Sequence, residues 1–105
     1  MSTFIKVATR QEMSGQGCKC VEVEGRRIAL FNLDGEFHAI DDTCTHSGGP
    51  LSEGTVEDGE VECPWHGGRF KITSGEATCP PAYENVRHYN LRVMGEDIEV
   101  EVEGR

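Results

Sequence analysis

Four side chains in this 105-residue chain have the types and spacing to do inorganic chemistry. Cys44-Thr45-His46 and Cys63-Pro64-Trp65-His66 each supply one soft thiolate and one imidazole, and sixteen residues separate His46 from Cys63. Breakers follow both segments: Ser47-Gly48-Gly49-Pro50 after the first and Gly67-Gly68 after the second. Glycine lets backbone approach a bound group closely and present N–H groups to an anionic centre. Two Cys and two His suit either a tetrahedral zinc site or a two-iron, two-sulfide cluster in which imidazoles replace thiolates on one iron. Common zinc fingers pair Cys with Cys and then His with His. Here each segment carries one of each, so the cysteines can converge on one iron and the histidines on the other. A structural zinc module is the alternative.

The rest of the chain must position these groups. Its 19 acidic and 10 basic residues give a formal charge of -9. That balance argues against nucleic acid, whose binding depends on Lys and Arg, and favours partners with positive surfaces. No apolar run approaches the roughly 20 residues that span a bilayer. The start, Met1-Ser2-Thr3-Phe4-Ile5-Lys6, has no secretory or twin-arginine pattern, so a cytoplasmic location without membrane contact is expected. Five cysteines cannot all pair internally, and in a reducing compartment metal ligation is the first expectation. The length fits one domain with a modest core, and small domains often lean on a metal.

Thr9-Arg10-Gln11-Glu12 is a capping-box pattern for one helical turn. Cys20 to Glu24 alternates with period two, as a half-buried strand does. Asp34-Gly35 divides two apolar runs, 27–33 and 36–40, and Asp58-Gly59 divides 55–57 from 60–63; both predict two-residue hairpins. Residues 69–72 read as a short strand, and Pro80-Pro81 as an extended loop. Tyr89, Leu91 and Val93, then Ile98, Val100 and Val102, alternate with polar residues across Gly95-Glu96-Asp97, which predicts a last hairpin. Short strands joined by Gly and Pro turns predict an all-β, sandwich- or barrel-like domain.

The ligand pattern, with Gly48-Gly49-Pro50-Leu51, Glu53-Gly54, Phe70 and Gly75, resembles the Rieske iron–sulfur signature. The resemblance implies antiparallel sheets in a single domain spanning 1–105. A small cluster-binding subdomain, about 41–80, is inserted in a β base of about 1–40 and 81–105. It implies one [2Fe-2S] cluster, with Cys44 and Cys63 on the inner iron and His46 and His66 on the outer. Ser47, Gly49, Pro64, Trp65, Gly67, Gly68 and Pro80 are expected around these ligands. High-potential members carry a disulfide at the positions of Gly49 and Trp65, and Ser and Tyr hydroxyl donors at those of Gly68 and Phe70. Without such donors the added electron is less stabilised, which implies a potential near the low end of the Rieske range, about -150 mV. Glu53, Glu57, Asp58, Glu60 and Glu62 are expected to push the same way.

The chain is too short for an oxygenase, flavin or nicotinamide domain. It therefore looks like a free-standing Rieske-type ferredoxin, not itself an enzyme. The resemblance implies that it takes one electron from an NAD(P)H-dependent flavoprotein reductase and passes it to a terminal aromatic-ring oxygenase. The small subunit of an NADH-dependent nitrite reductase shares the fold and is the second reading. Cys18, Cys20 and Cys79 are expected to be plain thiols, and His38 and His88 ordinary strand residues. The C-terminal acids are read as a solvated strand face.

Overall fold

The computed structural model describes residues 2–14, 17–33, 35–44, 49–65, 67–80 and 84–103. The chain starts with β1 (Ser2–Thr9) and a one-turn helix, α1 (Arg10–Ser14). The capping box forms as its sequence predicts. The Glu12 backbone N–H donates to Thr9 Oγ1 at 3.1 Å, and the Thr9 N–H donates to Glu12 Oε1 at 3.0 Å. These reciprocal bonds satisfy amides that a helix start leaves without partners.

β2 (Cys18–Val23), β3 (Arg26–Leu33) and β4 (Glu36–Asp41) form a meander, and β9 (His88–Tyr89) adds to its β4 edge. The first of its turns, Glu24-Gly25, carries no Asn or Asp to announce it. Both residues have positive φ, 53° and 80°, the geometry that matches the twist of paired strands. Glycine adopts it without cost, whereas Glu24 is held there by the strands on either side. A second sheet has the order β5 (Thr55–Glu57), β6 (Glu60–Glu62), β7 (Arg69–Lys71), β8 (Ala77–Cys79), and Asp58-Gly59 turns the first pair as predicted. In the third sheet, β11 (Asp97–Glu103) lies between β1 and β10 (Leu91–Met94). All of these strand pairs are antiparallel.

β3 ties the sheets together, because it is buried on both faces from Ile28 to Phe31. Ile28 and Leu30 enter one buried cluster with Met13, Ala39, Ile98 and Val100. Ala29 and Phe31, on the opposite face, enter a second with Leu51, Val61, Phe70 and Ile72. Side chains of a strand alternate between faces, so an unbroken apolar run is what a strand between two cores requires. Each large apolar side chain fully buried in this way contributes about 1.5–3 kcal/mol. The second cluster also contains Cys44 and Cys63.

Candidate metal centre

Each cysteine of the predicted ligand set begins the tip of a hairpin. The Leu51 N–H donates to the Asp42 carbonyl at 2.6 Å, Thr43 bridges Pro50, and the Cys44 N–H donates to the Gly49 carbonyl at 2.9 Å. These bonds form a narrow antiparallel ladder, 42–44 against 49–51, joined through 45–48. The second hairpin continues the register of β6 and β7. Glu62 pairs Arg69, and the next pair is closed by the Cys63 N–H donating to the Gly68 carbonyl at 2.7 Å. It is joined through 64–67. The two segments thus share one plan, a Cys–Gly closing pair with four residues between. His46, Ser47 and His66 fall between these closing pairs and lie outside the described residues, as does Pro81.

The two hairpins meet. A Cβ built on Gly49 would come 2.9 Å from Cys63 Sγ and 3.0 Å from the Trp65 ring, so only glycine permits this approach. Cys44 and Cys63 are 2% and 1% exposed and sit in one buried cluster. Buried thiols at the mouths of two facing hairpins fit a [2Fe-2S] cluster, which needs thiolate donors shielded from water. Gly68 is buried beside them, and Phe70 is fully buried. Trp65 packs over Gly49 yet remains 64% exposed, so most of the indole faces outward. Pro64 and Pro80 are exposed, and Gly67 has φ +81°.

Motif reasoning does not reach one residue that holds the first hairpin. Asp42, 1% exposed, is the buried carboxylate of the described core. Its Oδ1 accepts from the Ser52 N–H at 2.7 Å, while its Oδ2 accepts from the Cys20 thiol at 3.5 Å and lies 3.6 Å from Arg27 Nη2. The Asp42 N–H donates to the Arg27 carbonyl at 3.0 Å. A buried carboxylate persists only when partnered, and these partners anchor the strand two residues before Cys44. The signal for it lies in the period-two pattern, since Ile40, Asp42 and Cys44 fall on one inward face. An acid on that face must find donors.

The acids between the ligand segments are more neutralised than their number suggests. Arg69 Nε lies 3.0 Å from Glu60, and its Nη1 lies 3.8 Å from Glu57 and 3.7 Å from Glu62. The expected downward push on the potential is therefore partly cancelled at three of the five acids. Among the remaining cysteines, the Cys18 thiol donates to the Ser52 carbonyl at 2.8 Å. Burial pushes its pKa up, with the Asp42 charge adding to the effect. Burial also pushes up Cys20, although Arg27 opposes the shift. Cys18, Cys20 and Cys79 are free thiols. Among the described residues, no helix is long and apolar enough to cross a membrane.

Paired β-hairpins carrying one buried cysteine each, set on antiparallel sheets, make this an all-β protein with two thiols placed at facing hairpin mouths. Residues 3–90 match the family model for the Rieske [2Fe-2S] domain, and the chain belongs to that family. It is 38% identical over 82 residues to the ferredoxin component of a naphthalene 1,2-dioxygenase system from Pseudomonas aeruginosa, covering 78% of this chain and 79% of that one. It is also 38% identical over 100 residues to the biphenyl dioxygenase ferredoxin subunit of Pseudomonas sp. strain KKS102, covering 94% and 92%. Among solved structures, the ferredoxin of carbazole 1,9a-dioxygenase from Nocardioides aromaticivorans superposes with a TM-score of 0.89 at 30% identity, covering 93% of this chain and 96% of that one. All three are named as ferredoxins, or as ferredoxin components or subunits, of dioxygenase systems.

Proposed function

We propose that this chain is a cytoplasmic one-electron carrier that accepts electrons from an NAD(P)H-dependent flavoprotein reductase and delivers them to a terminal aromatic-ring oxygenase. The observation that carries this reading is the pair of facing hairpins, with Cys44 and Cys63 buried at their mouths. The names of the relatives support the choice of partners, as does a solved complex of reduced oxygenase with oxidised ferredoxin in carbazole 1,9a-dioxygenase, whose chain is 30% identical to this one.

In this proposal Cys44 and Cys63 would hold one iron of a [2Fe-2S] cluster, and His46 and His66 would hold the other. When bound, the cluster supplies a one-electron couple. The chain's own residues set the conditions. Buried Cys44 and Cys63 keep water from the thiolates. The backbone ladders closed at Gly49 and Gly68 hold both mouths rigid, so few protein groups need to rearrange when charge changes. Gly68 and Phe70 bring no hydroxyl to the sulfurs, which keeps the potential low. Gly67, Pro64 and Pro80 shape the surrounding loops, and the outward face of Trp65 lies where a partner would dock. The division into a cluster-bearing part, about 41–80, and a base is part of the same reading; one buried cluster lies wholly in the base, and the one with Cys44 and Cys63 packs 41–80 against it.

A nitrite reductase small subunit from Mycobacterium tuberculosis also superposes, with a TM-score of 0.87, but at 23% identity that likeness carries fold alone. The purified protein should be red-brown, with two irons and two sulfides per chain, and should be reduced by one electron. Mixed with the reductase and terminal oxygenase of a naphthalene dioxygenase system, it should support substrate-dependent NADH oxidation. A colourless protein with one zinc and no sulfide refutes the reading.

A further inference from the structure

The ion pairs of the described residues occupy Lys6, Lys19, Arg27, Arg69 and Arg92. Arg26 and Arg87 join none of them, although the chain holds 19 acids against 10 bases. These two residues line a single open cleft of about 500 Å³ together with Arg27, Asp41, Thr43 and Tyr89. The one carboxylate in its wall, Asp41, is engaged by the Tyr89 hydroxyl, which donates to it. Arg27 and Arg87 are exposed and Arg26 is half-buried. A protein of net negative charge therefore gathers three positive charges in one cleft, and two of them form no ion pair within the described fold.

The cleft also adjoins the cluster hairpins. Thr43, in its wall, belongs to the ladder that leads directly into Cys44. On the other hairpin, β5 and β6 present Glu57, Glu60 and Glu62 around Arg69. The paired hairpins thus carry an arginine cleft at the base of one and an acidic sheet at the base of the other. A molecule of uniform sign can be drawn to a partner in many orientations. One with opposite signs on the two arms of its redox tip is drawn in one.

We infer that the Arg26–Arg27–Arg87 cleft is a docking surface for a carboxylate-bearing segment of a protein redox partner, and that it fixes the orientation in which the hairpin tips meet that partner. The inference rests on the electron-carrier reading for the identity of the partner, but the binding chemistry stands on the cleft alone. Guanidinium is the suitable group, because its planar fork meets a carboxylate with two parallel hydrogen bonds. Such bonds at an exposed rim act on encounter and register, and they weaken with salt.

The test uses the cluster-loaded full chain and a fluorescently labelled hexaglutamate peptide as probe, followed by anisotropy at about 20 mM and about 300 mM salt. Wild type should bind at low salt and lose most of that binding at high salt. The double variant R26Q/R87Q should weaken binding about five- to tenfold, and R26K/R87K should restore part of it. R10Q/K71Q, which removes the same charge from sites outside the cleft, should leave binding within about twofold. Visible spectra and melting temperatures of all variants check that the fold and cluster are intact. Equal weakening by both glutamine pairs would reduce the effect to net charge and overturn the inference. So would an absence of peptide binding by the wild type. Displacement of the peptide by pyrophosphate at equal affinity would mark a small-anion site and overturn it too. A normal spectrum with no peptide binding refutes the cleft and leaves the carrier reading standing; peptide binding by a chain that holds no cluster does the reverse.

Discussion

Replacing Asp42 by Ala removes the carboxylate that holds the first hairpin, and the structure sets the size of the effect. The strongest bond this substitution removes is the 2.7 Å hydrogen bond from the Ser52 N–H. A hydrogen bond to an ionised group contributes about 1.5–3 kcal/mol. The Arg27 pair, at 3.6 Å with Arg27 57% exposed, adds at most about 1 kcal/mol. The 3.5 Å hydrogen bond from the Cys20 thiol is weak. The expected loss is about 2–3 kcal/mol, which in a domain near 100 residues lowers the melting temperature by about 8–20 °C. Asp42→Asn keeps an acceptor for Ser52 but puts an NH2 donor where Oδ2 met Cys20 and Arg27, so it should cost about 1–2 kcal/mol. Both variants leave Cys44 and its partners chemically intact. The assay combines thermal unfolding by circular dichroism, iron and sulfide per chain, and amide exchange at Cys44, Leu51 and Ser52. Asp42→Ala should unfold early, load less cluster and lose protection at those three amides first. Unchanged protection there, with stability within about 0.5 kcal/mol of wild type, would refute the anchoring role.

Three further outcomes are expected. A Cβ on Gly54 would clash with the Glu62 carbonyl oxygen, next to Cys63; Gly54→Ala should cost about 1–3 kcal/mol and lower cluster content, read by melting and iron analysis. Arg69→Gln leaves Glu57, Glu60 and Glu62 without their shared cation; since reduction adds negative charge, the midpoint potential should fall in redox titration, by less at high salt. His88 has its pKa lowered by partial desolvation, with His38 adding to the shift. Its neutral form is favoured on folding, so its contribution to stability is full above the unfolded value, near 6.5, and is lost as pH falls through the folded pKa. His88→Gln should therefore flatten the acid side of the urea-midpoint profile below about pH 6.5, and an unchanged slope would count against this linkage.

The hairpins at Asp34-Gly35, Asp58-Gly59 and Gly95-Glu96 can be read from the sequence because two-residue turns are local. Gly35, Asp58, Gly59 and Gly95 take positive φ, which few residues adopt without cost, and beside Gly95 the alternation of β11 also fixes which face is buried. The capping box at Thr9 and Glu12 is local for the same reason. The short strands are another matter. β8 (Ala77–Cys79) and β9 (His88–Tyr89) have too few residues to show a period, and they exist because β7 and β4 offer them an edge. The Glu24-Gly25 turn lacks the usual Asn or Asp signal and is imposed by the pairing of β2 with β3.

The sequence by itself determined the all-β class and the family, since motif spacing and turn chemistry are both written in the chain order. It also marked Gly49 as an unusual position. Tertiary structure alone decided why Gly49 must be glycine, because Cys63 and Trp65 reach it from a distant segment. It decided that Arg69 gathers three of the acids, that Asp42 points inward to Ser52, and that Arg26, Arg27 and Arg87 share one cleft. Each of these is a meeting of residues that the chain order keeps apart. Charge and burial act through space, so their consequences for the hairpins become definite only when the sheets have packed around β3.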